Sequence, residues 1–262
     1  LYPVLFMLSS AFKSVQDTLD PAVVWIPSSL QMYNFKMAFS LMNYGTALAN
    51  TLRILLPSVA LQVVSSLFIA YGFARFKFRG KNLLFGLLIF SIIVPTQSYM
   101  IPLYVHLQQM HLLNTVWQFY IQAALGTGIR SGLYIFILRQ FFRNMPKELE
   151  EAAYIDGAGA GRAFFQVLLP GARTMMITVF LFGFVWTWLD TKFISTLMPD
   201  YPLLVTEVGK IAALSLNAAA NTVMRDLLVN AGVVYLIVPL IVLYIFTQRY
   251  FVQSIERSGL VG

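Results

Sequence analysis

Between Lys81 and Arg130 the chain carries no Asp, Glu, Lys or Arg. As one helix rising 1.5 Å per residue that stretch would run about 70 Å, more than twice the hydrocarbon thickness of a bilayer, so it has to fold back as a hairpin. A soluble domain of 262 residues with 58% hydrophobic and 11% charged residues would lack the polar surface to stay in water, and the mean hydropathy of +0.73 agrees. The chain therefore reads as an integral membrane protein.

Charge-poor runs at Ile54 to Ala74, Leu83 to Leu103, Val116 to Ile137, Thr174 to Leu189 and Leu227 to Gln248 are each close to the ~20 residues that a span needs. Leu1 to Phe12 is apolar but shorter, and reads as the C-terminal half of a truncated first helix; the competing signal peptide lacks a basic lead. Extended to their flanks, the expected spans are residues 1–12 (partial), 50–74, 83–104, 116–142, 170–189 and 227–249 of a single domain, residues 1–262. Lipid offers the backbone no hydrogen-bonding partner, so continuous apolar runs of this length predict helices rather than barrel strands. The expected fold is an all-α, six-helix transmembrane bundle.

Basic residues orient it. Arg75, Lys77, Arg79 and Lys81 crowd one loop; Arg139, Arg143, Lys147, Arg162 and Arg173 surround another; Arg249 and Arg257 follow the last span. These faces, with the C-terminus, are expected to be cytoplasmic. The loop at His106 to Asn114 has no fixed charge, and Asp190 to Asp226 has four acids against three bases, so both should face outward. The high pI is then mostly orientation bias, without a soluble basic surface for nucleic acid. The lack of Cys excludes disulfide and thiolate chemistry and fixes no compartment.

Lys13 to Ala49 is polar enough to leave the membrane, with turn signals at Asp20-Pro21, Pro27-Ser28-Ser29 and Asn43-Tyr44-Gly45. An amphipathic helix is expected near Phe35 to Met42, and Trp25, Tyr33 and Tyr44 suit an interfacial belt or contact with a solute-delivering partner. The alternating aromatics and bases of Ala70 to Lys81 could suggest nucleic-acid stacking, but at a span terminus they suit a headgroup-anchored turn. Pro95 and Pro102 in the third span, and Gly126, Gly128 and Gly132 in the fourth, predict kinks and close helix approach.

Arg130 lies about 13 Å along a helix from Arg139, well below the interface. An unpaired Arg at such depth costs at least ~2.5 kcal/mol, so it needs a partner or a watery cavity. A structural ion pair meets that need; so does a place on the solute route, gripping hydroxyls or a carboxylate. Arg53, Asp190 and Lys192 lie near outer span ends, where snorkelling also explains them. If several line one cavity, an acidic saccharide would fit, with Trp186 and Trp188 stacking on sugar rings, although Trp at an interface is ordinary.

The segment at 146–168 is different in kind. Pro146 suits a first helical turn, Glu148, Glu150 and Glu151 put negative charge at the positive helix end, and Gly157, Gly159 and Gly161 end or bend the helix. The physics gives a short amphipathic helix on the inner membrane face. Its sequence, Glu151-Ala152-Ala153, Asp156-Gly157-Ala158, Phe164 and Leu169-Pro170, resembles the EAA loop of permease subunits in bacterial ABC importers. Further likeness lies at Phe12-Lys13-Ser14, Ala70 to Lys81, Ile101-Pro102-Leu103-Tyr104, Leu138 to Phe142 and Gln248 to Val252, and it is to the maltose-type carbohydrate permeases.

That resemblance implies a coupling helix that fits a cleft on an ATP-hydrolysing subunit, with Glu151, Ala152, Ala153, Asp156, Gly157 and Ala158 at the contact. It implies a second homologous permease subunit, two ATP-binding cassette subunits, an extracytoplasmic solute-binding protein, and a sugar or oligosaccharide cargo in the bacterial cytoplasmic membrane. The family's Trp-Asn-Asp/Glu-Phe run appears as Trp188-Leu189-Asp190-Thr191, and the tail Gly259 to Gly262 lacks the family's Lys, so the resemblance by itself does not imply solute contacts at that run or insertion of the tail between the ATPase subunits. The chain has no G-x-x-x-x-G-K-[ST] loop, so ATP and Mg belong to the partner and no cofactor or metal is expected here. An ion-coupled secondary transporter is the alternative, but no Asp or Glu falls inside a span. His106 and His111 lack a nucleophile or acid beside them, which argues against a membrane enzyme.

Overall fold

The computed structural model describes residues 2–214 and 219–259, the side chains at 191–192, 219–221 and 249–259 excepted. Leu1, the side chains of Lys192, Arg249 and Arg257, and the tail at 260–262 therefore lie outside the described residues.

All described regular elements are helical. In chain order they are α1 (Tyr2–Ala11), α2 (Val15–Leu19), α3 (Met32–Leu41), α4 (Tyr44–Arg75), α5 (Lys81–Ile93), α6 (Thr96–Gln109), α7 (Trp117–Ala124), α8 (Ser131–Asn144) and α9 (Glu148–Ile155). There follow α10 (Ala160–Ala163), a π-helical turn (Phe164–Leu168), α11 (Leu169–Gly171), α12 (Arg173–Leu189), α13 (Thr191–Leu197), α14 (Leu204–Ala212) and α15 (Ala219–Gly259).

The expected spans are less continuous than the apolar runs suggest. Among the described residues, two unbroken helical stretches are long and apolar enough to cross a membrane, Tyr44–Arg75 and Thr222–Gln248. The third run bends by 103° between α5 and α6, because Pro95 forces Val94 into extended geometry at ψ 120° and removes a helical donor. The fourth breaks outright: α7 ends at Ala124 and α8 starts at Ser131, with Gly126 (φ 70°) and Arg130 (φ 61°) left-handed between them. The fifth, α12, meets the segment before it at 70°. Pro102, by contrast, is accommodated inside α6.

The chain divides into two compact units, residues 1–53 with 188–246, and residues 54–187 with 247–262. In the first unit, Ala11, Phe35, Ala38 and Ala231 form a small-residue core that Phe12, Val234 and Tyr235 cover. The Tyr235 ring packs on Phe35, Phe39 and Tyr44 at centroid distances of 5.9, 5.7 and 4.9 Å. The polar segment after α1 is tied down rather than loose. Lys13 is buried and its Nζ donates to the carbonyls of Val23 and Val24, both at 2.8 Å. Asn34 Nδ2 donates to the carbonyls of Ala11 and Lys13, at 3.0 and 2.9 Å, and Ser14 and Asp17 close a capping box on α2. The expected helix near 35–42 is α3, begun earlier, and the loop at 190–226, expected to face outward, carries α13 and α14.

In the second unit, close approach is bought by glycine. A Cβ on Gly132 would sit 2.7 Å from Ser91 Oγ and 3.3 Å from the Leu88 carbonyl, which is what lets α8 lie against α5. Under α9, the rings of Tyr71, Phe142 and Phe164 cluster, with Phe164 4.7 Å from Tyr71 and 6.2 Å from Phe142.

Candidate functional site

The first site is α9 and its seat. Lys147 precedes the helix, and Glu148, Glu150 and Glu151 occupy its first turn, where the unpaired N–H groups favour anions. The helix ends in a Schellman closure: the Gly157 amide donates to the Tyr154 carbonyl at 3.0 Å and the Ala158 amide to the Ala153 carbonyl at 2.9 Å. Gly157 sits at φ 81°, a conformation that costs other residues about 1–2 kcal/mol. Gly159 and Gly161 have no such need; the first precedes α10 and the second lies within it.

Glu150 latches this helix down. Its Oε1 accepts from the Tyr71 hydroxyl at 2.8 Å and the Tyr154 hydroxyl at 2.9 Å, while Oε2 lies 3.2 Å from Arg75 Nε. The Arg75 contact is an ion pair rather than an aligned hydrogen bond; the guanidinium donates along its Nη2 to the Met145 carbonyl at 2.9 Å. Both charged side chains are nearly enclosed, at 7% and 11% exposure. The hydrogen bond to Glu150, aided by lost hydration, holds the Tyr154 phenol above its ordinary pKa.

Glu151, Ala152, Asp156 and Gly157 lie on the exposed side of α9, Ala158 is half-buried, and Ala153 packs inward. Leu149 and Ile155 join the exposed side, Ile155 at 87%. Neither this apolar patch's exposure nor the Glu150 latch is legible in local spacing, since Arg75 and Tyr71 stand more than seventy positions away. Glu150 is one of three acids in the first turn of α9, and nothing local sets it apart from Glu148 and Glu151. Beyond α9, the π-helical turn buries Phe164 and Leu168 against the second unit's core while leaving Phe165 outside.

The second site is a cavity of about 690 Å³ lined by residues around 91–99 and 126–133 together with Trp186. Its wall is the broken fourth run. Gln62 Nε2 donates to the Ile129 carbonyl at 2.6 Å and Ser131 Oγ at 3.0 Å, and Ser65 Oγ donates to the Ala123 carbonyl at 2.6 Å, so α4 replaces the hydrogen bonds that the break forfeits. Arg130 stands at the cavity with its Cζ 4.4 Å from the Trp186 ring centroid. Phe182 and Tyr134 lie near-parallel to the same indole at 5.3 and 6.1 Å. The half-buried Trp186 indole thus carries the Arg130 guanidinium at the cavity wall, a contact of about 0.5–2 kcal/mol. Gly128 and Gly132 serve packing on Gln62 and Ser91.

Of the candidate pathway residues, the structure brings Arg130 and Trp186 together. Arg53, Trp188 and Asp190 belong to the other unit. Arg53 is exposed. Trp188 is a core residue, 2% exposed, with Nε1 donating to the Leu236 carbonyl at 3.2 Å. Asp190 caps α13 by accepting from the Phe193 amide at 3.1 Å.

A family model described as the binding-protein-dependent transport system inner membrane component matches residues 62–257. A probable ABC transporter permease of Bacillus subtilis is 30% identical over 262 residues, covering 100% of this chain and 84% of that protein. The maltodextrin transport system permease of Streptococcus pneumoniae is 30% identical over 264 residues, covering 99% of this chain and 89% of its own length. The fold is shared with a bacterial ABC transporter involved in import of the acidic polysaccharide alginate, at TM-score 0.80 and 22% identity, over 96% of this chain and 90% of that one.

Proposed function

The chain belongs to the family of binding-protein-dependent transport system inner membrane components, and from that premise we propose that it is one permease subunit of an ATP-driven importer carrying a sugar or oligosaccharide across the bacterial inner membrane. Permease subunits of this family are non-catalytic, and ATP is hydrolysed on a partner subunit. The assembly proposed is this chain, a second related permease, two ATPase subunits and an external solute-binding protein, with the α9 side and the C-terminus in the cytoplasm. Six spans remain our reading, the bent and broken runs each counting as one crossing. The sugar cargo rests on relatives such as the maltodextrin permease of Streptococcus pneumoniae.

The observation that carries the coupling role is the combination in α9 of a fixed back and an uncovered front. Glu150 fastens one side, while Leu149, Ala152 and Ile155 stand exposed with Glu151 and Asp156 beside them. An apolar patch rimmed by acids suits a cleft with basic edges on a neighbour. Ile155→Asp should strip the ATPase chain from the purified complex while leaving this subunit in the membrane. Full ATPase retention would refute the docking role.

Arg130, fixed over Trp186 at the cavity, favours a cargo that bears a carboxylate. Arg130→Gln should then reduce uptake of uronate oligosaccharides at least tenfold more than uptake of neutral ones, the equivalent of about 1.4 kcal/mol. Equal losses for both would leave the importer reading intact and remove the acidic one.

A further inference from the structure

A second cavity, of about 510 Å³, opens where α4 ends, α5 begins and α8 ends. Arg75, Lys81, Arg139, Arg143 and Lys147 line it, and no carboxylate does. Arg75 is already committed to Glu150 and the Met145 carbonyl. The others have no acid within ion-pair distance among the described residues. Lys81 Nζ donates to the Phe76 carbonyl at 2.8 Å, a neutral partner. Arg139 stands over the Phe85 ring, its Cζ 3.7 Å from the centroid, and its buried Nε has no hydrogen-bond partner. Like charges gathered in a recess repel one another, and a buried donor without an acceptor costs free energy, so the recess calls for an anion with several acceptor oxygens.

α5 adds a second requirement. It starts inside the cavity at Lys81 and leaves Leu83, Leu84, Leu87 and Phe90 exposed at 49–70%, with no residue of the helix buried. A molecule that satisfies both features has a phosphate at one end and hydrocarbon at the other. We propose that this cavity holds the phosphate of an anionic phospholipid, with Lys81, Arg139 and Arg143 around the headgroup and the acyl chains along the exposed face of α5. Free phosphate would meet the charge and leave the apolar face uncovered. With α9 on the same side of the chain's proposed orientation, the lipid comes from the cytoplasmic leaflet, which is the one clause that rests on the proposed topology.

The test uses the full chain, with the subunits that copurify, in phosphatidylcholine nanodiscs doped with a photoactivatable phosphatidylglycerol. Cross-links should map to residues 81–90 and 139–147. Labelling should fall about fivefold in Lys81→Gln and about 25-fold in Lys81→Gln/Arg143→Gln, from about 1 kcal/mol per base near an anionic headgroup. Arg79→Gln removes the same charge outside the cavity and should change nothing, and excess inorganic phosphate should not compete. Three results overturn the proposal: unchanged labelling in the double variant, equal labelling by a phosphatidylcholine probe, or displacement by inorganic phosphate, which would make the cavity a site for the free ion. A cross-link from Lys81 to a carboxylate of a copurifying subunit would overturn it as well. None of these readouts needs transport, so their failure leaves the importer reading untouched.

Discussion

Glu150→Gln tests the latch most directly. The amide oxygen can still accept from Tyr71 and Tyr154, so the change removes the charge while sparing the shape and the two phenol bonds. What remains is an Arg75 guanidinium, 7% exposed, facing an amide N–H₂ in place of a carboxylate. Removing one partner of a buried ion pair typically costs 3–5 kcal/mol. Arg75 keeps its bond to the Met145 carbonyl, which places the expected loss at the low end, about 3 kcal/mol. That corresponds to a shift of about 150-fold in the equilibrium between seated and released α9. Hydrogen exchange of the amides at 148–158, measured in the purified complex, should accelerate by about two decades, while exchange in the first unit stays unchanged. Pairing the change with Arg75→Met should recover part of the loss, because the orphaned charge then disappears with its partner. Unaltered exchange in Glu150→Gln, or strictly additive losses in the pair, would refute the latch.

Other changes probe single features of the fold. Gly157→Ala should destabilise the end of α9 by about 1–2 kcal/mol, and Gly157→Asn by less because Asn tolerates the left-handed region; exchange at Ala158 and coupled ATPase activity read this out. Gly132→Ala should cost about 1–3 kcal/mol by forcing Ser91 away from α8, and Ser91→Ala in the same chain should restore part of it, as thermal denaturation of the detergent-purified protein will show.

The apolar runs located the helices because hydropathy is a local property, and lipid leaves the backbone no choice but to bond within its own segment. Where those runs bend was only half legible. Pro95 and the glycines of 126–132 were visible as weak points, yet Pro95 breaks its helix and Pro102 does not. The difference is positional: Pro95 begins a helix, whereas Pro102 falls in the second turn of one, so residue type alone could not separate them. Within α9, the outward residues followed from a short motif, while the inward ones depended on a partner. Ala153 turns inward and Glu150 meets Tyr71 and Arg75, a pairing set by tertiary folding that no spacing rule encodes. Trp186 and Trp188 show the same limit: two positions apart on one helix they point apart, one to the cavity beneath Arg130 and one to the Leu236 carbonyl.

Arg75 is the last residue of α4, so the Glu150 clasp grips a long helix at its very tip. About 33 Å of that helix lies between Ile54 and Arg75. A thrust on α9 would enter this strut at its terminal residue, through the clasp itself, instead of first passing through the Phe76 to Gly80 turn. Weakening the clasp should therefore act like backlash in a gear train, the drive moving some distance before the driven part responds.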